Sequence, residues 1–206
     1  MSRRQLRGPQ RISKSKNKRI EHTKILIATE GINTEPQYFE KFTASIKAKA
    51  VKVVSVKPVG VGRDPLSVVN EAKRLQGLEK KGGDPFDAVW CVVDVDEHAS
   101  LERACIEAGR AGIEIAISSP CFEIWLLWHF EARTKWTTAA ELSKLLQKRG
   151  LTGKSMSIGF PYKEYPKAMT NAARCEKVNV QHAPPNPHSS VPKIITALLE
   201  AHGRKS

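Results

Sequence analysis

Apolar and polar positions switch repeatedly between two periods along this chain. Short unbroken apolar runs stand at Ile25-Leu26-Ile27-Ala28-Thr29, in the valine-rich stretch 51–57, at Ala88-Val89-Trp90-Cys91-Val92-Val93, and at Ile113 to Ile117. Runs of this length are the signature of strands covered on both faces. Between them, apolar side chains recur at helical spacing: Tyr38, Phe39, Phe42 and Ile46, then Leu66, Val69, Ala72 and Leu75, then Leu101, Ala104, Cys105 and Ala108. Each such stripe predicts a helix with one core-facing side. Punctuation agrees. Thr34 with Gln37 three residues on has the form of a capping box, Asp64-Pro65 of an N-cap and first helical residue, and Gly82-Gly83-Asp84-Pro85 of a break.

Strands alternating with helices predict an α/β domain: a parallel sheet of about four strands flanked by helices, joined by right-handed crossovers. After the fourth strand, Ser119-Pro120 opens a helix from Phe122 to Phe130 that is apolar on nearly every side and is therefore expected to be buried. From about residue 131 the pattern turns helical. Helices are expected from Thr137 or Thr138 to Arg149, near 165–176, and at the end through Ile194, Ile195, Leu198 and Leu199. The expected organisation is a basic tail at 1–23, an α/β core at 24–130 and a helical extension at 131–206 packing on the core.

Charge changes this picture at one end. Residues 1–24 hold Arg3, Arg4, Arg7, Arg11, Lys14, Lys16, Lys18, Arg19 and Lys24 against one acid, Glu21, so this short segment carries +8 of the net +13. It has few aliphatic side chains and is expected to be disordered when free. Its cations suit a nucleic-acid arm that gains affinity by counterion release; a solubilising or partner-docking tail has the same composition. No apolar stretch reaches about 18 residues, so no transmembrane helix is expected, and the N-terminus lacks the apolar segment of a signal peptide. Cys91, Cys105, Cys121 and Cys175 are widely spaced, and three lie in apolar contexts. They are expected to be reduced core residues of a cytoplasmic protein, neither a disulfide frame nor a zinc site.

The candidate chemistry is acidic. The first apolar run delivers Glu30-Gly31 and the third delivers Asp94-Val95-Asp96. In open parallel sheets ligands bind outside the carboxyl ends of the strands. In extended backbone Asp94 and Asp96 share a face. Carboxylates gathered at one edge repel unless a cation joins them, and Mg²⁺ (or Mn²⁺) prefers such oxygen ligands. By itself D-x-D marks any strand that ends in a solvated turn; Glu30 on a second strand end is what lifts it. Glu35, in the first turn of a helix, also suits the helix dipole. His98 follows the D-x-D. Ser119 and Glu123 follow the fourth strand at the same edge, and a carboxylate inside an apolar helix needs a partner or a cation. Trp125, Trp128 and His129 are expected in the core. Gly150-Leu151-Thr152-Gly153-Lys154-Ser155 is too short between its glycines for a phosphate-binding P-loop.

Three motifs in order carry a resemblance: Thr29-Glu30-Gly31-x-x-Thr34-Glu35-Pro36-x-Tyr38-Phe39, then Val93-Asp94-Val95-Asp96-Glu97-His98, then Ser119-Pro120-Cys121-Phe122-Glu123-Ile124-Trp125-Leu126-Leu127-x-His129-Phe130. Together with Asn186-Pro187-x-Ser189 they resemble the RloB family over about 24–200. That resemblance implies a Toprim-like core, with Glu30, Asp94 and Asp96 matching the Toprim Glu and D-x-D as catalytic and metal-ligating residues. Glu35, His98, Ser119 and Glu123 stand around them. It implies a bacterial defence setting, antiviral and of the abortive-infection kind, and a companion ATPase as a conceivable partner. The usual Asn and Thr of two family motifs are Ser119 and Ser189 here. The first functional expectation is therefore a Mg²⁺-dependent nuclease acting on DNA or RNA, with Glu30 as ligand or general acid/base. The alternative is a non-catalytic nucleic-acid-binding or partner-regulated effector with a vestigial acidic site.

Overall fold

A computed structural model describes residues 23–56, 64–95, 100–151, 156–175 and 185–203. In these segments β1 (Ile25–Thr29), α1 (Thr34–Ser45), β2 (Val51–Ser55), α2 (Pro65–Lys81), β3 (Ala88–Asp94), α3 (Leu101–Ala111) and β4 (Glu114–Ser119) alternate. Then come α4 (Glu123–Trp128), α5 (Ala139–Gln147), α6 (Tyr165–Ala173), β5 (His188–Ser189) and α7 (Val191–Gly203). The sheet order is β2-β1-β3-β4-β5. The first four strands are parallel. β5 pairs antiparallel with the end of β4, Ser118 opposite Ser189 and Ser119 opposite His188.

The fifth strand lies outside the sequence expectation of about four. Two residues are too few to show a period, and serine and histidine are not strand formers. Side-chain bonds hold it instead. Ser118 and Ser189 share a hydroxyl hydrogen bond of 2.9 Å, and the Ile117 N–H donates to the Ser190 hydroxyl at 2.8 Å.

Alternation along the strands divides the core in two. Ile25, Ile27, Trp90 and Val92 point to the face covered by α1, α4, α5, α6 and α7. Leu26, Ala28, Val89, Cys91 and Val93 point to the face covered by α2 and α3. α2 begins as its sequence predicts: the Asp64 carboxylate accepts the N–H groups of Leu66 and Ser67, both at 3.2 Å. α1 does not. Thr34 is its first helical residue rather than its cap, and the Gln37 side chain instead accepts the Met156 N–H at 2.9 Å. The capping box forms at α5, where Thr138 and Glu141 exchange bonds.

α4 is as buried as its composition demands, with Ile124, Trp125, Leu126, Leu127 and Trp128 all at most 1 % exposed. His129, just past it, is a core histidine. Its Nδ1 donates to the Trp125 carbonyl at 3.0 Å, and Nε2 accepts the Tyr38 hydroxyl at 3.3 Å. The cysteines depart from expectation. All four are free thiols, but only Cys91 is buried, and Cys105 is exposed on the outer side of α3. Ala104 and Ala108 alone make the buried stripe of that helix. No helix among the described residues is long and apolar enough to cross a membrane.

Candidate functional site

The sheet reverses its winding between β1 and β3. The chain leaves β1 for β2 on one side, then returns to place β3 on the other. Loops at such a switch point diverge and leave a crevice at the carboxyl ends of the two strands. Glu30 is the first residue after β1, and Asp94 is the last of β3. The strands are in register, Thr29 opposite Val92, and the Glu30 N–H continues the ladder to the Val92 carbonyl at 3.0 Å. The Glu30 carboxylate bends over to the backbone of its neighbour, where Oε2 accepts the Asp94 N–H at 3.3 Å.

Asp94 falls on the same side of β3 as Trp90 and Val92, toward α1 and α4. The Phe122 N–H, just before α4, faces it and favours its charged form. Two further acids close on it. Glu35, in the first turn of α1, is only 6 % exposed, and its carboxylate lies over Gly31, where a Cβ would overlap it. Gly31 is thus required for close approach rather than for its backbone angles. Glu123 opens α4, half-buried, and its charge acts on the Cys121 thiol.

Burial first, then the charges of Glu35, Glu123 and Glu30, hold the Asp94 carboxyl well above the usual carboxylate range. Burial, then the charges of Glu123 and Asp94, push the Cys121 thiol up as well, leaving it protonated. Four carboxylates therefore meet at one strand edge. Their donors are all oxygen, the set that hard divalent cations take. Among the described residues, no group of three or more His, Cys, Asp or Glu side chains is arranged to hold a metal ion. Asp96 and His98 lie outside the described residues, as does the basic tail from Arg3 to Arg19.

Glu35 does more than face the helix dipole, since its charge is the largest acidic influence on Asp94. The charge of Glu123 acts on Asp94 and on the Cys121 thiol beside it. Ser119 is 4 % exposed at the tip of β4, its backbone paired with His188. Ser189 accepts the Val191 N–H at 3.3 Å and so ties β5 to the start of α7. Sequence reasoning missed the placement of the Phe122 N–H and the Cys121 thiol against the acids. The one signal available was the segment Ser119-Pro120-Cys121-Phe122-Glu123 directly following a strand.

An open, mostly parallel sheet with acids on the two strand ends flanking its order reversal defines an α/β protein with an acidic edge site. The family model described as RloB-like protein matches residues 25–198, and the chain belongs to that family. A search of curated proteins returned no match.

Proposed function

We propose that this protein is a Mg²⁺- or Mn²⁺-dependent nuclease that hydrolyses phosphodiester bonds of DNA or RNA, with a Toprim-like arrangement of acids and a role in antiviral defence. One observation carries the reading: Glu30 and Asp94 stand side by side at the switch point, the Asp94 N–H bonded to the Glu30 carboxylate. Asp94, Asp96 and Glu30 are the residues that would hold the cation, which when bound supplies positive charge to the phosphate oxygens.

The chain's own residues do the rest. Glu30, on the first strand end, is placed to exchange a proton with the attacking or leaving oxygen. Glu35 and Glu123 add negative charge around Asp94, which raises the affinity of that position for any positive charge, proton or cation. The Phe122 N–H favours the charged form of the Asp94 carboxylate. An overall charge of +13 draws polyanions to the molecule.

The test is cleavage of single- and double-stranded DNA and of RNA, with and without Mg²⁺ or Mn²⁺, beside calorimetric titration of the cation. Cation-dependent cleavage is expected. Tight nucleic-acid binding with no cleavage under any of these conditions would replace the nuclease with a binding effector.

A further inference from the structure

Trp136 is the one tryptophan of four that the fold does not bury. Trp90, Trp125 and Trp128 are in the core, whereas Trp136 is 67 % exposed. Its backbone is not loose. The next residue, Thr137, is fully buried and exchanges two hydrogen bonds with the Asn186 side chain, at 3.1 and 2.8 Å. On the other side, the Arg133 carbonyl accepts the Trp128 indole N–H at 3.0 Å. The chain thus spends several specific bonds on a loop that holds a large aromatic in water.

The position of that loop is informative. Asn186 lies two residues before β5, which runs antiparallel to β4. The chain therefore enters β5 from the carboxyl end of the sheet, and the Thr137–Asn186 clasp lies at that end, with Glu30 and Asp94. β5 is two strands from β3 in the sheet, a separation of about 10 Å. Exposed Lys135 precedes the indole. An exposed, rigidly mounted aromatic beside a cation is the element on which proteins stack unpaired bases of single-stranded nucleic acid.

We propose that Trp136 is a stacking platform for an unpaired base, positioning single-stranded nucleic acid across the acidic edge. The proposal rests on the nucleic-acid reading above and names its substrate form. A flat indole accepts any base, so the platform confers preference for unpaired strands rather than for sequence.

The experiment uses the full chain in EDTA, so that cleavage plays no part. Single-stranded dT and rU oligomers, a duplex and a base-free oligomer of equal charge are titrated against indole fluorescence. The base-bearing single strands should quench the solvent-exposed emission. Trp136→Leu should weaken binding of those strands about ten-fold or more, Trp136→Phe should retain most of it, and the base-free oligomer should bind wild type and Trp136→Leu alike. Equal affinity of wild type and Trp136→Leu for both base-bearing single strands overturns the platform, and leaves the nucleic-acid reading standing if the oligomers still bind. Failure of every oligomer to bind wild type overturns both.

Discussion

The two ends of the sheet use the same carboxylates in opposite ways. At the amino end, acids meet lysines. Lys24, just before β1, reaches Glu79 at 2.8 Å and Asp84 at 2.7 Å, and Lys52 reaches Glu79 at 3.2 Å. The Asp87 carboxylate accepts the Lys24 backbone N–H at 2.6 Å, joining the starts of β1 and β3. Hydrogen bonds from Lys24, then Lys52, hold the Glu79 carboxyl below its ordinary range. At the carboxyl end, acids meet acids in a buried setting, and the Asp94 carboxyl is held above its range. The first arrangement satisfies itself on folding. The second costs the protein stability, the pattern expected of a site kept for function, and under the proposed reading a cation would relieve it.

The most direct way to break this contrast is to remove acids from the carboxyl end. Asp94→Asn and Glu30→Gln should each lower cation-dependent cleavage by about 10²–10⁴-fold while the fold survives, as read by cleavage rates and circular dichroism. The stability of apo Asp94→Asn should match or exceed wild type. Because the folded pKa of Asp94 lies above the unfolded value near 4, the native state binds more protons in that window. Wild-type apo stability should therefore fall as pH rises through it, and the Asn variant should lose that slope. A variant that cleaves like wild type removes Asp94 from the site.

His129 provides an opposing slope. Burial pushes its pKa down to about 4, below the unfolded value of about 6.5. The unfolded state then binds more protons between those values, so this contribution is complete above pH 6.5 and lost as pH falls toward 4. It amounts to about 3 kcal/mol. Denaturant melts across pH 4–7 should show the loss in wild type and a flatter acid limb in His129→Gln. Comparison with Asp94→Asn separates the two slopes.

Gly31→Ala sharpens the contrast at the level of one carboxylate. The added methyl must displace the Glu35 carboxylate from its place over Gly31. Cation affinity should drop about ten-fold with little change in melting temperature, measured by titration with Mn²⁺. Unaltered affinity would return Glu35 to a helix-terminus role. The smallest effect is expected at the amino end. Lys24→Met removes two solvent-accessible ion pairs, to Glu79 and Asp84, so its shift in melting temperature should be slight and should shrink in high salt.

The elements and most of the core were legible in the chain alone. The apolar runs marked β1 to β4 because buried parallel strands leave no polar alternation, and the stripes through Tyr38, Phe39 and Phe42 or Val69 and Ala72 marked helices that bury one side. Glu30 and Asp94 were legible as strand-end acids, since strand ends can be read from where apolar runs stop. The sequence could not tell which strands are neighbours, or that Glu35 folds back over Gly31 while the charge of Glu123 acts on Cys121. Those depend on contacts between residues distant in the chain, and no local period encodes them. The order β2-β1-β3-β4-β5, which sets Glu30 beside Asp94, and the Thr137–Asn186 clasp, which holds Trp136 in water, were decided only by tertiary structure. Their physical basis is the packing of two helical layers on opposite faces of one sheet.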